Sequence, residues 1–229
     1  MFPMKPLLLL LCLFPFCGCR SHSAPVVPVV VTHAPVLSRP VSPLFNPVLS
    51  DTLLEGKNRD WWQKPQQIIT ALKLKPGSTV ADIGTGSGYF LPYLSRAVGA
   101  KGTVYAEEVQ EDFLSPLQRR ADQFKNVRLV LGTETDPKLP LLSTDTFVLM
   151  TVYHEVKQGT EFLRGLHRFA KPNAQLVIID FDAKRKGSHP APEGHAISEE
   201  IVVQEAKAAG WTLKKRYEFL GSQFFLVFE

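Results

Sequence analysis

Along residues 58–229 the apolar positions fall into two rhythms. Trp61, Ile68, Ile69 and Leu72 recur at helical spacing, and Lys75-Pro76-Gly77 interrupts them, so the pattern predicts a helix over 61–74. Beyond it, short apolar runs alternate with further helical stretches. They predict strands over 79–83, 102–106, 127–131, 146–152, 176–181, 211–219 and 223–228. Helices are predicted over 89–98, 111–124, 159–170 and 198–209, the last opened by Ser198 at an N-cap position.

Strands that alternate with helices imply an α/β fold, a mostly parallel sheet with helices on both faces. Runs that are apolar throughout, such as Leu176-Val177-Ile178-Ile179, suit strands buried on both sides. Only Leu220-Gly221-Ser222 separates the last two strands, which is too short for a crossover, so they form an antiparallel hairpin.

Composition narrows the class. The 229 residues suffice for one domain with a full core, and 45% apolar with 21% charged residues is ordinary for a globular chain. A net charge of +4 gives no argument for nucleic acid or an anionic membrane as a partner. The cysteines are Cys12, Cys17 and Cys19, which excludes a disulfide, a cysteine nucleophile and a thiolate metal site from the domain.

The N-terminus has a different character. Lys5 precedes an apolar run over 7–19 that is too short to span a bilayer, so residues 1–18 read as a signal peptide. Phe16-Cys17-Gly18-Cys19 resembles a bacterial lipobox, which implies export and a lipid anchor on Cys19, facing the periplasm or cell surface. A plainly cleaved signal is the alternative, and an unused leader would leave the chain cytoplasmic. Residues 19–50 are rich in proline and valine and read either as an extended tether or as an arm along the domain surface. The domain itself is 51–229.

The chemistry gathers at Val80-Ala81-Asp82-Ile83-Gly84-Thr85-Gly86-Ser87-Gly88-Tyr89, where a strand runs into three glycines and then a helix. Glycine permits positive φ and close approach of a ligand, and the helix start offers free N–H groups. The spacing is G-x-G-x-G and lacks the later third glycine of the dinucleotide fingerprint. Asp82 would repel a pyrophosphate and favour an amino group. Glu107 and Glu108 end the next strand, where a carboxylate accepts ribose hydroxyls. An adenosine joined to a cationic amino acid is S-adenosyl-L-methionine. A nicotinamide-dependent oxidoreductase is disfavoured by the same spacing and by Asp82.

These motifs together, LKPGSTVADIGTGSGYF, GTVYAEEV, FVLMTVYHEV and LVIIDF, resemble a class I SAM-dependent methyltransferase. The segment RDWWQKP over 59–65 is similar to a subgroup of small bacterial methyltransferases. The resemblance implies a Rossmann-like seven-stranded sheet closed by the antiparallel hairpin. It implies that Asp82, Gly84, Thr85, Gly86, Ser87, Gly88 and Tyr89 hold the methionine portion. It puts Glu108 at the ribose-binding position with Glu107 beside it, and leaves open which of the two points inward. Gly132, Thr133 and Glu134 would meet the adenine. Thr151 to Glu155 would face both cofactor and acceptor. Lys171-Pro172-Asn173-Ala174 replaces the family's usual Lys-Pro-Gly-Gly, away from the site.

His154 and Tyr153 are the catalytic candidates, His154 as general base or as a positioning group. His189 and His195, in a polar proline-rich loop, read as a lid over the acceptor, and no spacing there resembles a metal-ligand set. Trp61 and Trp62 are candidates to cover the cofactor or the acceptor. Gln63 and Pro65 faintly resemble the entry segment of protein isoaspartate methyltransferases. The acceptor expected is a small molecule or a lipid, with no nucleic acid, and with membrane contact only through the lipid anchor. A non-catalytic exported binding protein on the same fold is the competing reading.

Overall fold

Seven strands form one sheet in the order β3-β2-β1-β4-β5-β7-β6. In chain order they are β1 (Thr79–Ile83), β2 (Thr103–Glu108), β3 (Val127–Leu131), β4 (Thr144–Met150), β5 (Ala170–Phe181), β6 (Leu213–Tyr217) and β7 (Gln223–Phe228). The helices are α1 (Arg59–Gln63), α2 (Pro65–Leu72), α3 (Leu91–Val98), α4 (Glu111–Ala121), α5 (Gly159–Leu166) and α6 (Glu199–Ala208). β1 to β5 pair in parallel, and β7 runs antiparallel to both β5 and β6. This is the Rossmann-like seven-stranded sheet with a closing antiparallel hairpin that the resemblance implies. The computed structural model describes residues 39–44, 46, 55, 56, 58–185, 187, 189 and 191–229. The leader over 1–18 and Cys19 lie outside the described residues.

Alternation along the strands builds two cores. Ala81, Ile83, Phe147, Leu149, Leu176, Ile178, Phe224 and Leu226 face one side, where they meet Phe162, Leu163 and Leu166 of α5 and Val202 and Ala206 of α6. Val80, Val148, Val177, Ile179, Phe225 and Val227 face the other, against Ile68 and Leu72 of α2, Leu91 and Leu94 of α3 and Leu117 of α4. A strand buried on both faces has no polar side to show, hence the continuous apolar runs.

Several boundaries differ from the sequence pattern for identifiable reasons. The helix expected over 61–74 is two helices, because Pro65 offers no N–H and drives Lys64 out of the helical region, to φ 50°. β4 stops at Met150 because Thr151 turns to φ 58°. β5 starts at Ala170, and a bulge over 171–174 lets Asn173 take φ 64°, a value asparagine tolerates better than most residues. Ser198 occupies the N-cap position of α6, but its hydroxyl donates to the Glu200 carboxylate and accepts no hydrogen bond from the helix backbone.

Residues 39–44 lie along the domain. The Arg39 guanidinium donates to Glu205 Oε1 at 3.1 Å and to the carbonyls of Tyr153 and Val156 at 3.3 and 2.6 Å. The Ser42 N–H donates to the His154 carbonyl at 3.1 Å. Among the described residues no helix is long and apolar enough to cross a membrane.

Candidate active site

The carboxyl ends of β1, β2, β4 and β5 open into one cavity, the crevice that parallel strand order creates in such sheets. Its floor is the loop from Gly84 to Ser87. Gly84, Gly86 and Gly88 all take left-handed φ values of 64°, 56° and 78°. The loop is tied to β2: the Thr85 N–H donates to the Glu107 carbonyl at 2.8 Å. The Gly84 N–H donates to Glu107 Oε2 at 3.1 Å, and the Gly86 N–H to Glu108 Oε2 at 2.9 Å.

Not every expected cofactor residue reaches the cavity. Asp82, Gly84, Thr85, Gly86, Ser87, Tyr89, Glu107, Glu108, Thr133, Glu134, Thr151 and His154 line it. Gly88 does not. A Cβ there would meet Leu117 and Leu91 at 2.9 Å, so this glycine lets α3 and α4 pack. Gly132 lies under the Glu107 carboxylate, and any side chain would displace that acid. Tyr153 is fully buried in the core beside α5, and its hydroxyl donates to Glu205 Oε2 at 2.6 Å. Its aromatic body is core packing and its hydroxyl completes the Arg39–Glu205 pair, so the expected catalytic role is corrected. Trp61 is exposed, whereas Trp62 lines the cavity and stacks on His189 at 4.1 Å.

The acids are crowded and dry. Asp82 accepts the Thr85 hydroxyl at 2.7 Å, yet burial lifts its carboxyl to about 7, with Thr85 and Arg59 opposing the rise. Burial lifts Glu107 to about 8 against the hydrogen bond from Gly84, and the Glu108 and Asp82 charges add to the rise. Glu108 is also raised by burial, although the N–H groups of Gln110, Gly86 and Val109 all donate to it. Both glutamates therefore turn inward.

Arg59 is the cation among them. It is 6% exposed and stacks 3.8 Å over the Tyr89 ring. Asp60, the next residue, accepts the Tyr89 and Tyr93 hydroxyls at 2.6 and 2.7 Å and so fastens α1 over the loop. The sequence pattern over 59–65 assigns Arg59 and Asp60 no role.

The opposite wall follows β4. Thr151 has a β-branched side chain in the left-handed region, the sort of strain that gathers at functional sites. The next residues form a short 3-10 turn, Tyr153–Glu155. His154 Nδ1 meets Asp180 Oδ1 at 2.8 Å, and the His154 N–H donates to Asp180 Oδ2 at 3.0 Å. Burial favours the neutral ring, but the Asp180 and Glu155 carboxylates outweigh it and lift His154 to about 10. His195 is lowered by burial and by His154. Its Nδ1 stands 3.2 Å from His154 Nε2, and Glu155 Oε1 stands 3.6 Å from His154 Nε2 and 3.8 Å from His195 Nδ1. The sequence contains no ligand-like spacing, but the fold assembles these three groups from two loops. Asp180 was missed, although an acid closing the run LVIIDF was a visible signal.

Residues 74–218 match the family model described as a methyltransferase domain. The chain is similar to a SAM-dependent methyltransferase from Aquifex aeolicus, with 32% identity, a TM-score of 0.75 and coverage of 80% of this chain and 98% of that one. It is 31% identical over 147 residues to a 2-phytyl-1,4-naphtoquinone methyltransferase of Nostoc sp., covering 62% of this chain and 61% of that protein. It is 26% identical over 137 residues to a ubiquinone/menaquinone biosynthesis C-methyltransferase of Coxiella burnetii, covering 58% of this chain and 54% of that protein. The chain thus spans little more than half the length of these curated relatives.

Proposed function

The chain belongs to the methyltransferase domain family, and from that premise we propose that it transfers a methyl group from S-adenosyl-L-methionine to a small-molecule or lipid acceptor. The observation that carries this reading is the left-handed glycine loop ringed by Asp82, Glu107 and Glu108. A ligand with a sulfonium and an ammonium group matches that charge, and Arg59 complements its carboxylate. Glu108, fixed by three N–H groups, keeps acceptor capacity for the ribose hydroxyls. Thr133 and Glu134 line the cavity and, on this reading, would meet the adenine.

The acceptor's nucleophile attacks the methyl carbon in line, and the C–S bonding pair leaves with the sulfur as S-adenosylhomocysteine. Alignment supplies most of the acceleration, roughly 7–11 kcal/mol when the geometry is held. His154, pinned at two points by Asp180, serves as a positioning group. Trp62, Phe162, Phe181 and Val156 give the cavity an apolar wall, which suits an apolar ring-bearing acceptor. The quinone methyltransferases among the relatives support that class.

Incubation with methyl-labelled S-adenosylmethionine and a panel of reduced quinones, phenols and lipids tests the acceptor. Label in one of them with equimolar S-adenosylhomocysteine is expected. Label in none of them contradicts the apolar reading.

We also propose export, a reading supported by the leader over 1–18 and the lipobox-like stretch ending at Cys19. Mass spectrometry of the mature chain should find an acylated Cys19; an intact Met1 contradicts export.

A further inference from the structure

We propose that His154, Glu155 and His195 bind a divalent transition-metal ion of the zinc class, with one coordination position open to the cavity. The geometry is that of a ligand set. A tetrahedral zinc ion with nitrogen and oxygen ligands about 2.0–2.1 Å away holds neighbouring donors about 3.3 Å apart. The three donor atoms here are separated by 3.2, 3.6 and 3.8 Å. All three residues line the same cavity as the glycine loop.

The support behind the ligands is also present. Asp180 Oδ1 takes the Nδ1 side of His154, which turns Nε2 toward the other two donors. A carboxylate behind a ligating imidazole fixes its tautomer and raises its basicity. Asp180 is itself fixed, since Oδ1 also accepts the Phe181 N–H at 2.8 Å. Three protein ligands and a vacant fourth position are the pattern of a site that takes a substrate atom, in contrast to closed structural sites. Resting on the methyltransferase reading, the fourth ligand would be an oxygen, nitrogen or sulfur donor of the acceptor. A bound metal would hold that donor as an anion and orient it.

The test uses the full chain stripped of metal with a chelator and titrated with Co²⁺. One equivalent should bind with the intense visible bands of a four-coordinate ion, and Zn²⁺ should displace it. His195→Ala and Glu155→Gln should each lose that binding while retaining the wild-type circular dichroism and unfolding transition. Asp180→Asn should weaken it roughly 10–100-fold. No cobalt binding by the wild type, or binding unchanged in His195→Ala and Glu155→Gln, overturns the proposal. Titration of the same sample with S-adenosylmethionine reports the methyltransferase reading separately, so either can fail alone.

Discussion

Asp180 grips His154 twice, through the ring Nδ1 at 2.8 Å and the backbone N–H at 3.0 Å. One carboxylate at the end of β5 thereby fixes both the side chain and the path of the turn after β4. Asp180→Ala should cost about 1–3 kcal/mol, because buried donors lose their acceptor. Denaturant unfolding measures that loss. Cofactor affinity should not change, since Asp180 does not line the cavity.

Gly88→Ala should destabilise the fold by about 1–3 kcal/mol through the contacts with Leu91 and Leu117. Its positive φ adds strain in the same direction. The folded fraction should bind cofactor as the wild type does. Calorimetry at low temperature separates the two effects, and a large affinity loss with unchanged stability would return Gly88 to the binding surface.

Arg39 and Glu205 are both nearly fully buried, and breaking such a pair costs about 3–5 kcal/mol. Arg39→Met should show a loss of that order in denaturant unfolding. Arg39→Met with Glu205→Gln should recover much of it, because the glutamine carbonyl still accepts the Tyr153 hydroxyl without leaving a buried charge.

Glu107 sets a pH dependence of unusual sign. Its folded value, about 8, lies above the ordinary carboxyl value of 4.5, so the folded chain holds a proton the unfolded chain has released. Stability from this group therefore falls as pH rises between those two values. Glu107→Gln should flatten that decline relative to the wild type, as thermal unfolding across the range will show. A cationic ligand should restore stability at the alkaline end and release protons as it binds, detectable in buffers of different ionisation enthalpy.

The sheet was legible because strand periodicity is local: β1, β3 and β7 match their apolar runs, and the link before β7, five residues over 218–222, is still too short for a crossover and dictates the hairpin. The break at Pro65 was equally visible in the sequence, but the helical spacing on either side hid it. The glycine loop announced a site, yet the reason for Gly88 lies in Leu117, far along the chain. His154 meets Asp180 26 residues away and His195 41 residues away. No local pattern encodes such meetings, because strand order creates them. Arg59 was obscured for a related reason, since its charge acquires meaning only when Asp82 and Tyr89 surround it.

Every role proposed for the cavity depends on the glycine loop and its acids binding S-adenosylmethionine. Calorimetric titration of the purified chain with S-adenosylmethionine, S-adenosylhomocysteine and NAD tests it directly. Binding of the first two and not the third is expected, lost in Glu108→Ala and Gly86→Val. At a hundred times the dissociation constant it should add ~2.7 kcal/mol of stability. Binding of NAD alone, or of neither S-adenosyl compound, would contradict that assignment of the glycine loop.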